Sequence, residues 1–180
     1  MKTRIANLID VLLYAFALLV MLADASGKPR PAEPPPPYLK LTIVKNVNGS
    51  CGWKCLEAML RYDGHMKEAD ECSRMMRDSS AYAEWLFCKE RGVPSKYSYH
   101  DSDEKDRDRL IIAALKDSRP VMVDLSTADP EIAHGVVVVG YDGYHAWLLD
   151  PNRPKEVRKI TRQQFLGEWS YSLFVLEAKK

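Results

Sequence analysis

Residues 134–150 constrain the fold of this 180-residue chain more than any other stretch. HGVVVVGY and HAWLL are two β-branched or aromatic runs joined by Asp142-Gly143. Runs of this kind on either side of a Gly-containing turn form an antiparallel hairpin, here His134 to Tyr141 paired with His145 to Leu149. In such a pair the start of one strand lies beside the end of the next, so His134 and Asp150 are expected to be neighbours.

The rest of the chain reads as helices first and strands afterwards. Ser50 is a candidate N-cap for a helix from Cys51 to Tyr62 (CGWKCLEAMLRY), where Cys55, Leu56, Met59 and Leu60 recur at helical spacing and Asp63-Gly64 ends the run. A second helix is expected from about Met66 to Met76. A third runs from a Ser80 cap to Arg91, stopped by Gly92 and Pro94. Leu39 to Val44 alternates as a short strand, and Lys96 to His100 reads as another. Glu104 to Lys116 is a helix, Pro120 to Leu125 and Tyr171 to Ala178 are strands, and Thr161 caps a short helix through Trp169. This order predicts an α+β fold with an N-terminal helical half packed on a C-terminal antiparallel sheet. There is no internal repeat and no β-α-β alternation to support a nucleotide-binding sheet.

With 46% hydrophobic residues the chain can bury one sizeable core. Lys and Arg (26) balance Asp and Glu (25), which removes the basic footprint of a nucleic-acid binder.

Two segments precede the expected domain. Lys2 and Arg4 stand before an apolar run of 12 residues, Val11 to Leu22, and Ala23-Asp24-Ala25 has the small residues a signal peptidase reads. Residues 1–25 are therefore expected to be a signal peptide cleaved after Ala25, with the mature protein periplasmic or secreted. The run is shorter than the about 20 residues of a permanent span. An uncleaved anchor is the alternative, because Ile5 to Ile9 is also apolar, and it is the one membrane association expected. Residues 26–37 hold six of the eleven prolines and read as an extended spacer, leaving 38–180 as the folded domain.

Four cysteines, Cys51, Cys55, Cys72 and Cys88, would lie in an oxidising compartment. Cys51 and Cys55 are four apart in one helix, a poor geometry for a bridge. The spacings match no common zinc module. Cys72 and Cys88 fall on consecutive helices, and a disulfide between them is expected to contribute roughly 3 kcal/mol. Cys51 sits in the first turn of its helix, where unpaired N–H groups and the helix dipole lower a thiol's pKa. It reads either as a nucleophile or as a disulfide partner. The expected pairing of His134 with Asp150 favours the nucleophile, because a thiolate needs a base and the base needs a group to orient it.

The segment CGWKCLEAMLRYDG resembles the nucleophile segment of the double-glycine, bacteriocin-processing cysteine peptidases, a papain-like group that reads approximately D-C-G-x-x-x-L-A-M-x-L-x-Y-x-G there. HGVVVVGYDGYHAWLLDPN resembles their second motif, H-x-V-V-x-x-G followed by a turn and an Asp-Pro sixteen residues after the His. Thr161 to Leu176 is similar to their closing helix and strand. The resemblance implies a papain-like fold over most of Tyr38 to Ala178, with Cys51 as nucleophile, His134 as general base and later acid, and Asp150 orienting the imidazole. It implies a peptide or protein substrate and no metal or organic cofactor. Two positions depart from the pattern. Ser50 replaces an acid, and Lys45 stands where the family has an oxyanion-binding Gln, leaving Asn46 as the expected amide donor, with Lys45 itself or nearby Asn48 as alternatives. The chain is thus expected to be an exported cysteine peptidase or amidase working through a thioester acyl-enzyme. The alternative is a catalytically impaired domain used for binding or assembly.

Overall fold

The computed structural model describes residues 38–47, 49–75, 80–99, 104–129 and 132–177. The expected signal peptide, the spacer and Asn48 lie outside the described residues. The chain forms helices α1 (Cys51–Tyr62), α2 (Met66–Cys72) and α3 (Ala81–Glu90), strand β1 (Ser95–Tyr99) and helix α4 (Glu104–Lys116). Strands β2 (Val121–Ser126), β3 (Ala133–Tyr141), β4 (His145–Leu149) and β5 (Val157–Thr161) follow, then helix α5 (Arg162–Glu168) and strand β6 (Trp169–Leu176). The six strands make one antiparallel sheet in the order β1-β6-β2-β3-β4-β5.

The four consecutive valines of β3 explain the layering. Val137 and Val139 face one core, which they share with Leu56, Met59 and Leu60 of α1 and Phe87 of α3. Val136 and Val138 face a second core with Ile111 of α4 and Phe165 of α5. A strand covered on both faces has no polar side, so the alternation that marks a half-exposed strand disappears. The N-terminal helices cover one face of the sheet as expected, and α4 and α5 cover the other. Among the described residues no helix is long and apolar enough to cross a membrane.

Helix α1 lies at the centre, with every residue from Gly52 to Leu60 buried, including two charges. Lys54 Nζ donates to Ser73 O at 2.9 Å and lies 3.4 Å from Glu57 Oε2, while Arg61 donates to Glu57 Oε1 at 3.0 and 3.1 Å. A buried charge is tolerated only when paired in this way.

Several boundaries differ from the sequence expectation. Leu39 to Val44 joins no strand, because both sides of β3, which it reaches through Leu39, are already taken by β2 and β4. The β3–β4 register shifts between Val138 and Gly140, and Val139 O accepts the Leu39 N–H at 2.9 Å. Val157–Thr161 is a strand that the sequence reading left out. Helix α2 ends at Cys72, ahead of the expected Met76, and β6 starts at Trp169, ahead of Tyr171. Ser80 caps α3 by accepting the Ala83 N–H at 3.3 Å, and Thr161 forms a capping box with Gln164.

The expected Cys72–Cys88 disulfide is absent: all four cysteines are free. Cys72 is fully buried and its thiol donates to Trp53 O at 3.1 Å, which turns it toward α1. Burial raises the pKa of both thiols, that of Cys88 to about 12, so each stays neutral as a small apolar side chain.

Candidate active site

Three elements of the fold bring Cys51, His134 and Asp150 together. Cys51 is the first residue of α1, His134 is the second residue of β3, and Asp150 follows the last residue of β4. His134 Nε2 lies 2.8 Å from Asp150 Oδ1, and the imidazole and the Cys51 thiol are near enough for each to shift the other's pKa. With Nε2 on the carboxylate, Nδ1 is the ring nitrogen left for sulfur. The antiparallel hairpin produces this placement, since the β3 start and the β4 end lie at the same end of the sheet.

The Cys51 thiol is partly buried, and burial alone would raise its pKa. The hydrogen bond from His134, the Gly135 N–H at 3.4 Å from Sγ, the imidazolium charge and the Gly52 N–H outweigh that effect and hold the thiol below its ordinary value. His134 moves the other way, to about 9, first because Asp150 accepts its ring N–H and next because of Cys51, against burial. Burial pushes the Asp150 carboxyl up, but hydrogen bonds from His134 and from the Asn152 N–H at 2.7 Å hold it below the usual carboxylate range. Opposite shifts on thiol and imidazole favour the thiolate–imidazolium form. Cys55, one turn further along α1, is fully buried with its pKa pushed well up by burial, and stays a neutral packing residue.

Ser50 occupies the N-cap position without capping. Its hydroxyl donates to Val47 O at 2.8 Å and lies 3.3 Å from Asn46 Oδ1, and its oxygen takes none of the first-turn N–H groups of α1. Asn46, the expected oxyanion donor, gives one amide N–H to Asn152 Oδ1 at 2.9 Å, and its backbone N–H goes to Pro151 O at 2.7 Å. Lys45 is exposed. Asn152 is a site residue that the sequence reading missed: its Nδ2 stands 3.5 Å from His134 Nε2. Its position two residues after Asp150, in an Asp-Pro-Asn turn, was the available signal. Asn46 and Asn152 together tie the loop before Cys51 to the loop that carries Asp150. Among the described residues no group of three or more His, Cys, Asp or Glu side chains is placed to hold a metal ion.

Residues 36–175 match the Peptidase C39 like family. No curated protein matches the chain. Among solved structures, the chain is similar to a C39-like peptidase from Bacillus anthracis, with 15% identity and a TM-score of 0.56 over 78% of this chain and 99% of that one. The peptidase domain of Streptococcus ComA, a bifunctional ABC transporter, gives 16% identity and the same TM-score of 0.56, covering 77% and 98% of the two chains. A double glycine motif protease from an AMS/PCAT transporter, solved in complex with the leader peptide, gives 15% and 0.56, covering 79% and 94%. At these identities the structural likeness establishes a shared fold, and the sequence match over 140 residues establishes the relationship. The chain belongs to the Peptidase C39 like family.

Proposed function

We propose that the protein is an exported, papain-like cysteine peptidase that hydrolyses peptide bonds through Cys51, His134 and Asp150. The observation that carries this reading is the imidazole of His134 held between Asp150 and Cys51, with the thiol pKa drawn down in spite of burial. Thiolate Cys51 attacks the scissile carbonyl, and the oxyanion is met by the Cys51 backbone N–H and a side chain from the Lys45–Asn46 loop. His134 gives its proton to the leaving amine, and a water that it then deprotonates releases the acyl group from the thioester. Asp150 holds the ring in place. No metal or organic cofactor enters these steps. A peptide substrate agrees with the leader peptide bound to the AMS/PCAT protease.

The exposed Lys45 at the place of the family's Gln favours one other reading, a domain that binds peptides without cutting them. Incubation of the mature chain with a proteome-derived peptide mixture, followed by mass spectrometry of new termini, separates the two. Cleavage that disappears in Cys51→Ala supports the peptidase. Peptide capture without cleavage, equal in the wild type and Cys51→Ala, supports the binding domain.

A further inference from the structure

A row of polar positions crosses the sheet beside the nucleophile. Tyr99 of β1 pairs with Ser172 of β6, and Asp124 of β2 pairs with Gly135 of β3, whose N–H reaches the Cys51 sulfur. Asp124 and Ser172 are joined directly, Ser172 Oγ donating to Asp124 Oδ2 at 2.5 Å. Along β2, Met122 belongs to the core under α1, so Asp124, two residues on, points to that same face. Exposure rises along this face of the strand, from buried Met122 through partly buried Asp124 to exposed Ser126. Asp124 therefore stands where the core gives way to the open end of the sheet that carries the catalytic residues. His134, Cys55 and Tyr97 all lie within reach of its charge.

A carboxylate at this depth normally has a cationic partner. Among the described residues no Lys or Arg forms an ion pair with Asp124. Its backbone is fixed on both sides, the Asp124 N–H donating to Ser172 Oγ at 3.3 Å and the Asp124 carbonyl accepting from Ser170 Oγ at 2.9 Å. The side chain is thus held in place, paired across the sheet with the Gly135 that touches the reacting thiol, and among the described residues its charge meets no cation except the imidazolium at a distance. Burial raises its pKa, against the Ser172 hydrogen bond and the His134 charge, which lower it.

Building on the peptidase reading, we propose that Asp124 is the floor of a substrate subsite beside the scissile bond and that it selects a basic side chain. A lysine ammonium or arginine guanidinium entering from the open end would pair with the free Oδ1, while Ser172 keeps Oδ2.

The test uses Cys51→Ala protein and fluorescein-labelled octapeptides with a Gly-Ala background, in which lysine, norleucine or glutamate is walked through each position. Anisotropy is expected to show, at one position, lysine bound about thirtyfold more tightly than norleucine, the size that goes with one partly buried charge pair. Adding Asp124→Asn removes that preference and Asp124→Glu keeps it. A lysine preference that survives Asp124→Asn, or no position preferring lysine, overturns the subsite. Iodoacetamide labelling of the wild-type chain distinguishes the two levels. A reactive Cys51 without lysine preference removes the subsite alone, whereas an unreactive Cys51 removes the peptidase reading and this proposal with it.

Discussion

The Cα of Gly52 stands 3.1 Å from the point that a Cβ on Gly135 would occupy. The helix that starts with Cys51 and the strand that carries His134 therefore meet through two residues without side chains. This close approach lets the Gly135 N–H reach the Cys51 sulfur. In Gly135→Ala the new methyl meets backbone, which has no rotamer by which to yield, and α1 must move away. We expect a loss of about 1–3 kcal/mol in stability together with slower alkylation of Cys51. Thermal unfolding and iodoacetamide kinetics measure the two, and an unchanged alkylation rate would mean that the contact does not position the thiol.

The imidazole of His134 should titrate with a midpoint near 9, as read by NMR of the ring protons. Asp150→Asn removes the largest cause and should bring the midpoint down toward the ordinary 6.5. The folded-state value lies above the unfolded one, so the stability the ring contributes is fully present below about pH 6.5 and is lost as pH rises through about 9. An unshifted ring in the wild type would remove the ion pair from the mechanism.

Lys45→Gln restores the side-chain type that the family uses at the oxyanion. One such donor is worth roughly 10²–10³ in rate, so a marked rise in kcat at similar KM is expected on any peptide that the wild type cuts. No gain would show that Asn46 or Lys45 already serves this purpose.

Glu57 is the hub of the buried charges of α1, touched by both Lys54 and Arg61. Glu57→Ala leaves buried Lys54, among the described residues, with only the Ser73 carbonyl, and a loss of about 3–5 kcal/mol is expected. Urea unfolding at neutral pH gives the number; a loss below about 1 kcal/mol would show that Lys54 finds water or another partner.

The sequence carried much of the site because local patterns determine it. The Asp142-Gly143 turn makes the hairpin, which brings His134 and Asp150 to the same end of β3 and β4, and their side chains close the remaining gap at 2.8 Å. The run before Gly64 places Cys51 at a helix start. What escaped the reading depends on contacts between distant segments. Val157–Thr161 is short, and three of its five residues are exposed. Leu39 to Val44 has the alternation of a strand, but no strand edge is free where it lies. Cys72 and Cys88 sit on consecutive helices as expected, and no spacing rule could show that Cys72 turns its thiol to the Trp53 carbonyl. Asp124 gave no local signal, because its meaning comes from the β2–β3 pairing with Gly135.

The most direct test of the central claim is iodoacetamide labelling of the native chain from pH 4 to 9, with peptide mapping and with His134→Ala alongside. Cys51 is expected to react quickly and alone well below the free-thiol pKa of about 8.5, while Cys55, Cys72 and Cys88 stay unlabelled, and the low-pH reactivity disappears in His134→Ala. A Cys51 that reacts only near pH 8.5, or equally fast without His134, would contradict the thiolate–imidazolium pair on which the peptidase mechanism rests.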